Sequence, residues 1–399
     1  MTDASLPVLL LNRGGDRRLR AGHSWVFSNE IDVARTPLTG FAAGDPVIIA
    51  EAGGRQIGSG YVNPSTLIAA RVVDRSGHAL DRSLVVHRLN VALALREKLY
   101  EAPFDRLVFG ESDGMPGMVL DRFGDVLVGQ IGTAGMERLR GEIEAAIEKV
   151  LKPSALIWKN DSQARELESL DRHVQVALGE HAGPLTVEEG GFHFEVDPLE
   201  GQKTGWFYDQ RANRDRLAPY VRGARVLDLF SYVGAWGIRA AGFGASQVTC
   251  VDSSARAVEA TSNNAALNGM AEKVEAVRAD AFEFLKQARA ERRRWDVVIV
   301  DPPAFIKRRK DFKEGSVAYR RINEMAMQVL ERDGLLVSCS CSQHMQRDTL
   351  LDAINAGARH LDRQAQVLER LQQGPDHPVQ AAIPESDYLK GFICRILPS

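Results

Sequence analysis

Cys339 and Cys341 stand one residue apart in Ser338-Cys339-Ser340-Cys341-Ser342, at the end of an apolar run that opens at Gly334. A thiolate at a strand end is a nucleophile. The base chemistry that most needs one is methylation at carbon 5 of a pyrimidine, because that carbon reacts poorly until a thiolate adds at carbon 6 and leaves an enamine-like intermediate. On a regular strand the two cysteines share a face, with Cys341 about 6.6 Å nearer the mouth, two steps of about 3.3 Å. Cys341 is therefore the candidate nucleophile, and Cys250, Cys339 and Cys394 read as small buried hydrophobes. A free thiol with a pKa of about 8.5 is mostly protonated at neutral pH, so such a site must supply positive potential or a base.

Four acids recur at the ends of β-rich runs. They are Asp228 in Asp228-Leu-Phe-Ser231-Tyr-Val-Gly234-Ala-Trp-Gly237, Asp252 after Cys250-Val, Asp280 in Ala279-Asp280-Ala281-Phe282, and Asp301 in Asp301-Pro302-Pro303-Ala304-Phe305. A dinucleotide site wants G-x-G-x-x-G in the first of these, so that backbone can approach a pyrophosphate. Asp228 and Ser231 stand in place of those glycines. An acid there repels a pyrophosphate and suits a cofactor that carries an ammonium and a sulfonium, such as S-adenosylmethionine. Asp252 follows Asp228 by 24 residues, near the spacing of about 20 expected of an acid that accepts from ribose hydroxyls. Asp280 is placed to accept from the adenine amino group, with Phe282 or a neighbour packed on the ring. The plain alternative makes Asp252 and Asp280 N-caps of the helices that follow; acids at three successive strand ends favour the ligand reading. The cofactor set is thus Asp228, Ser231, Gly234, Asp252, Asp280 and Ala281. At Asp301, consecutive prolines fix φ and remove two donors, which presents backbone carbonyls and the carboxylate to a planar base, whose protonated ring nitrogen Asp301 would hold.

These residues require a sheet whose strands all end at one rim. Strand-like runs at 226–230, 247–251, 274–278, 297–300 and 335–339 alternate with helical stretches, the pattern of a parallel sheet covered on both faces. In such a sheet ligands sit outside the carboxyl ends of the strands. Runs at 365–371 and 391–397 are expected to close it as an antiparallel edge. Ahead of this domain, β-rich runs at 8–11, 46–50 and 67–73 are punctuated by Gly and Pro and read as a small β module. A helix over 80–100, strands at 107–110, 118–122 and 126–130 and a helix over 136–151 make the middle α+β. The expected boundaries are 1–76, 77–190 and 191–399.

The 399 residues are 44% hydrophobic and 26% charged, close to a folded globular average and unlike disordered, collagen-like or heptad chains. A net charge of −3 gives no global field for nucleic acid, so such a partner must be held by local patches. Two exist: Lys286–Arg294, with five bases and one acid, and Phe305–Arg321, with seven bases and two acids, opening at Lys307-Arg308-Arg309-Lys310. The second begins at the proposed pocket, which favours phosphate tracking over a merely solvated face. The apolar run at 6–11 precedes its arginines, the reverse of a secretory signal. No run of about 18 apolar residues is present to span a membrane. Four cysteines are too few for a disulfide framework, and a reducing cytoplasm is expected, with no metal.

With these pieces in order, the chain resembles the bacterial large-subunit ribosomal RNA cytosine-5 methyltransferases of the I type over essentially its whole length. The matching motifs are Arg13–Asn29 with Gly22-His23-Ser-Trp25-Val-Phe27, Gly110-Glu-Ser-Asp113-Gly-Met-Pro-Gly117 with Asp121-Arg122, Gly201-Gln202-Lys203-Thr204-Gly205-Trp-Phe-Tyr208-Asp209-Gln210-Arg211, Asp228–Gly237, Asp301–Phe305, Ser340-Cys341-Ser342 and Pro384-Glu-Ser-Asp-Tyr388-Leu-Lys390-Gly391. The resemblance implies a PUA-type RNA-binding entry carrying Arg13, His23 and Trp25, a central α+β domain, and a Rossmann-like class I methyltransferase domain with a mostly parallel seven-stranded sheet. It implies S-adenosylmethionine as cofactor, large-subunit ribosomal RNA as partner with a homodimer left open, Gln210 near the cofactor's carboxylate end, and Cys341 as the attacking thiolate. One departure stands out. Better-known RNA cytosine-5 enzymes carry a Cys after the fourth-strand proline, where this chain has Ala304-Phe305, so the acceptor of the carbon-5 proton is unassigned. The rival readings are a guanine or adenine nitrogen methyltransferase, which needs no nucleophilic Cys, and a non-catalytic RNA-binding assembly factor, against which the intact acids Asp228, Asp252, Asp280 and Asp301 argue.

Overall fold

The computed structural model describes residues 6–399. It divides into two compact units. One runs up to Leu185 and adds Asp197–Tyr208 and Pro375–Ser386; the other comprises Thr186–Val196, Asp209–Gly374 and Asp387–Ser399.

The first unit opens with β1 (Val8–Leu10), α1 (Arg17–Arg20), β2 (Trp25–Phe27), β3 (Asp45–Ala50), β4 (Gln56–Val62) and β5 (Ile68–Asp74). They form a five-stranded sheet in the order β1-β3-β4-β5-β2, closed on a core that includes Leu9, Leu11, Leu19, Val26, Val47, Ile49 and Val62. There follow α2 (Arg82–Leu99), β6 (Phe104–Phe109), β7 (Met118–Phe123), β8 (Val126–Ile131), α3 (Ala134–Arg138), α4 (Arg140–Leu151), β9 (Ala155–Asn160) and β10 (His173–Gly179). Asp81 caps α2 by accepting from Leu84 N at 3.0 Å, satisfying a donor that a helix start otherwise leaves open. The single helix expected over 136–151 is two, broken by a turn at Leu139. The second sheet, β10-β9-β8-β7-β6, packs α2 and α4 around Leu89, Leu107, Leu120, Ile143, Ile147 and Trp158. Buried charge is paired: Arg96 with Asp113, Arg106 with Asp121 and Arg122 with Asp105. The two later segments tie into that network, since Thr204 Oγ1 donates to Asp121 and Asp376 accepts from Arg106 N at 3.0 Å.

The second unit holds β11 (Leu185–Glu189) from Thr186 on, β12 (Phe192–Val196), α5 (Arg211–Asp215), β13 (Arg225–Leu229), α6 (Ala235–Gly242), β14 (Gln247–Asp252), α7 (Ala255–Leu267), β15 (Val274–Arg278), α8 (Ala281–Ala290), β16 (Trp295–Val300), α9 (Phe312–Gln328), β17 (Leu330–Ser340), α10 (Arg347–His360), β18 (Arg363–Gln372) and β19 (Lys390–Pro398). The seven-stranded sheet runs β15-β14-β13-β16-β17-β19-β18. β13 to β17 pair in parallel. β19 enters antiparallel between β17 and β18, so of the two closing strands only β18 lies at the edge. β13 and β16 are buried almost throughout, as strands covered by helices on both faces must be. The core includes Leu227, Leu229, Val298, Ile322, Leu336, Ile354 and Phe392. The order reverses on either side of β13, and the carboxyl ends there form the crevice where such sheets take ligands. Among the described residues, no helix is long and apolar enough to cross a membrane and no cluster of His, Cys, Asp and Glu could hold a metal ion.

Candidate active site

The loop that leaves β13 is wound tightly. Phe230, Tyr232 and Gly234 all have left-handed φ, at 63°, 50° and 85°. For the two aromatic residues this conformation is uncommon, costs of order 1–3 kcal/mol each, and persists only where the surroundings over-determine it. Here they do. Ser231 N donates to Val251 O at 3.1 Å, Tyr232 N to Asp252 Oδ2 at 3.0 Å, Thr261 Oγ1 to Tyr232 O at 2.9 Å, Asn264 Nδ2 to Val233 O at 3.2 Å and Gly237 N to Asp228 Oδ2 at 3.0 Å. Gly237 must be glycine, since a Cβ there would lie 2.3 Å from Cys250 Sγ.

Asp228 is fully buried beneath this loop rather than lying open at the rim as the sequence suggested. The start of α6 covers it, and its Oδ1 has no hydrogen-bond partner. Burial pushes its pKa up to about 8, against the pull of the Gly237 amide and with the nearby Asp301 and Asp252 charges adding to the rise. Its carboxyl shapes the loop from behind. Asp252 braces the loop and also accepts from Ser254 N at 2.9 Å; the N-cap of α7 is Ser254. Asp280 is the N-cap of α8, its Oδ1 accepting from Phe282 N at 2.9 Å and Glu283 N at 3.1 Å. The capping alternative therefore holds for Asp280 and not for Asp252. Ala281 is buried at the first position of that helix.

At the end of β16, Asp301 Oδ2 accepts from Gln210 Nε2 at 2.9 Å and from Trp236 Nε1 at 3.0 Å. Gln210 is oriented in turn, because its Oε1 accepts from Asn213 Nδ2 at 2.6 Å. Phe305 packs on Tyr319, ring centres 4.8 Å apart, and edge-on to Phe230. β17 ends at Ser340, so Cys341 lies just past the strand. It is partly exposed, whereas Cys250, Cys339 and Cys394 are buried. Burial raises all three of those thiols, Cys394 to about 12. Both neighbours of Cys341 are anchored: Ser340 Oγ donates to Tyr319 Oη at 2.8 Å, and Tyr319 Oη lies 2.8 Å from Ser342 Oγ. Lys390 Nζ donates to Ser342 O at 2.8 Å.

A buried charge cluster holds the scaffold behind the loop. Glu189 accepts from Arg214 at 2.6 and 2.7 Å and from Arg239 of α6 at 2.9 Å. Burial alone would raise the Glu189 carboxyl, but Arg214, Arg239 and Arg211 outweigh it and hold the pKa near 2.

The RNA-contact candidates divide. Lys307, Arg308, Arg309 and Lys310 are all exposed, and so is Arg13 in the first unit. His23 and Trp25 are engaged within the chain. His23 is buried, its Nδ1 accepts from Trp25 N at 3.0 Å and its Nε2 lies 3.6 Å from Glu385; burial, with Arg18 adding to it, lowers its pKa. The Trp25 indole donates to Glu111 at 2.8 Å. Both make internal contacts with the chain's own acids, Trp25 from its place opposite Arg71 in the β2–β5 ladder and His23 from the turn before β2. Sequence reading also passed over Asn213, Trp236, Thr261, Asn264, Tyr319 and Lys390. Trp236 and Lys390 sit inside quoted motifs, but nothing local gave them a task.

The S-adenosylmethionine-dependent methyltransferase family model matches residues 153–391, and a PUA-like domain matches residues 9–75. The ribosomal RNA large subunit methyltransferase I of Klebsiella pneumoniae strain 342 is 36% identical over 405 residues, covering 100% of both chains. That of Shewanella denitrificans is 35% identical over 393 residues, 97% of this chain and 98% of the relative. A crystal structure of a methyltransferase complexed with SAH superposes with a TM-score of 0.85 at 22% identity, over 98% of this chain and 100% of that one. A SAM-dependent methyltransferase from Streptococcus mutans gives 0.83 at 21% identity with the same coverage.

Proposed function

Because the chain belongs to the S-adenosylmethionine-dependent methyltransferases and, among them, to the ribosomal RNA large subunit methyltransferase I family, we propose that it forms 5-methylcytosine in 23S ribosomal RNA through a covalent bond from Cys341 to the base. The observation that carries this reading is the position of Cys341. It is the one partly exposed thiol among the four cysteines, one residue past a strand end at the rim that also carries Asp301.

The residues present fit the cofactor. Asp252 and Asp280 supply acceptors at the strand ends, and the buried Oδ1 of Asp228, which lacks a partner, lies behind the loop. Asp252 would take the ribose hydroxyls, Asp280 the adenine amino group through Oδ2, Ser231 and Gly234 would offer backbone, and Gln210 would lie toward the carboxylate end. When bound, S-adenosylmethionine supplies an electrophilic methyl group.

The chain's own residues do the rest. Cys341 Sγ adds at carbon 6 of cytosine, and the ring's electron density moves to carbon 5. Asp301, kept in place by Gln210 and Trp236, holds the protonated ring nitrogen. Once carbon 5 is methylated, its proton leaves to water, the C5–H electron pair re-forms the carbon 5–carbon 6 double bond, and the carbon–sulfur bond breaks with its electron pair returning to the sulfur as thiolate. Arg13 and the run from Lys307 to Lys310 would track phosphates. The domains take the boundaries 1–76, 77–190 and 191–399.

RNA carrying 5-fluorocytosine at the target tests the mechanism, since fluorine does not leave as the proton does. A covalent complex mapped by tryptic mass spectrometry to Cys341, together with loss of turnover in Cys341→Ala at unchanged cofactor binding, is expected. Normal turnover in Cys341→Ala, or an adduct on Cys339, sinks the reading in favour of a nitrogen methyltransferase.

A further inference from the structure

Lys390 opens β19 directly across from Ser340 in the β17–β19 ladder, which brings its side chain to the residues that flank Cys341. The side chain is buried, and Nζ donates to the carbonyl of Ser342, the residue after Cys341. Among the described residues no carboxylate lies within 4.0 Å of Nζ to form an ion pair. Holding an ammonium in such a place is costly unless something nearby gains from its charge.

The groups that face this corner come from several elements. Asp387 precedes Lys390 on its own chain, and Arg347 stands at the start of α10. Tyr319 of α9 reaches Ser340 and Ser342. Burial draws the lysine down to about 8, while Asp387 and then the Cys341 sulfur pull it upward and Arg347 pulls it down. The ladder register and the Ser342 contact place the ammonium at the two residues on either side of Cys341. The Tyr319 hydroxyl is spent on Ser340 and Ser342, and Cys339 is shut in by burial.

Building on the reading of Cys341 as nucleophile, we propose that Lys390 is the positioning residue that keeps Cys341 in its thiolate form, its ammonium lying beside the sulfur while it pins the Ser342 carbonyl. The thiol proton leaves to solvent, the sulfur keeps the electron pair, and the fixed positive charge stabilises it. This supplies the positive potential that a strand-end cysteine needs.

The test is the pH dependence of Cys341 alkylation by iodoacetamide in the full-length protein, resolved by peptide mass spectrometry, with Lys390→Gln, Lys390→Arg and Lys390→Met. Wild type should react with an inflection below the value of about 8.5 of a free thiol. Lys390→Gln still donates to the Ser342 carbonyl but carries no charge. It and Lys390→Met should raise the inflection by about one unit, slowing alkylation at pH 7 roughly tenfold, and Lys390→Arg should restore most of the rate. Melting temperature and calorimetric binding of S-adenosylmethionine identify the variants that fold. A folded Lys390→Gln with the wild-type inflection overturns the proposal, because a purely structural lysine would leave the profile where it was. No RNA enters this measurement. A missing fluorocytosine adduct with an intact Lys390 effect would therefore sink the carbon-5 reading alone, and the converse would sink the lysine alone.

Discussion

Two segments leave the same rim of one sheet and are built in opposite ways. The segment after β13 is wound through three left-handed residues and pinned by Asp228, Asp252, Thr261 and Asn264. The segment after β16 carries Lys307 to Lys310 exposed, with Arg308 paired locally to Asp311 at 3.2 Å. A cofactor with a fixed shape needs donors and acceptors in fixed places, and a strained loop keeps its form only if its neighbours leave it no alternative. Phosphate tracking needs charge near a flexible chain, and its free energy comes largely from released counterions. The buried segment therefore invests in geometry and the exposed one in charge.

The largest expected effect lies behind the pinned loop. Replacing Glu189 with Gln leaves Arg214 and Arg239 buried around a neutral amide, and breaking such a cluster on one side typically costs about 3–5 kcal/mol. The pH dependence gives a second reading of the same group. The Glu189 carboxyl titrates near 4.5 unfolded and near 2 folded, so its stabilisation is complete above about 4.5 and is lost as pH falls through about 2, a span worth about 3 kcal/mol. Chemical denaturation from pH 6 to pH 2 should show that loss in wild type and much less of it in Glu189→Gln. Parallel curves would mean that the cluster does not hold the scaffold.

Next in size is Asp252→Ala, which removes both the brace on Tyr232 and the proposed ribose acceptor. Calorimetry should show S-adenosylmethionine affinity falling by roughly 1.5–3 kcal/mol, the scale of hydrogen bonds to a charged group. Unchanged affinity would break the claim that the wound loop is the cofactor's seat.

The smallest effect on stability belongs to the exposed segment. Neutralising Lys307, Arg308, Arg309 and Lys310 together should leave unfolding free energy within about 0.5 kcal/mol of wild type. Binding of single-stranded RNA should nevertheless lose salt dependence, by up to about 0.7 in slope per lost phosphate contact. An unaltered slope would make this run a solvated face and remove half of the comparison.

Much of this was legible in the sequence, and what was legible was local. The strands that build the parallel sheet showed as apolar runs, because burial on both faces leaves no room for polar alternation. Three of their acids showed because the runs at 247–251, 274–278 and 297–300 are followed by Asp252, Asp280 and Asp301. Cys341 stood out from Cys339 by its distance along a strand. The β4 strand did not show, since Gly58 and Gly60 lower its β character and only pairing on both sides makes it a strand. Side-chain direction was the other hidden quantity. An acid at a strand end is equally readable as a ligand contact, a loop brace or a helix cap, and Asp228, Asp252 and Asp280 turned out to differ in which of these the fold makes of them. The internal partners of His23 and Trp25, Glu385 and Glu111, lie far along the chain and could not be read from their own stretch. Gln210 meets Asp301 across 91 positions and Lys390 meets Ser342 across 48. Residue type and period travel with the chain and can be read from it. Partners brought together by strand order and helix packing exist only once the chain has folded, and it is these partners that set the charge, the strain and the direction of each group in the site.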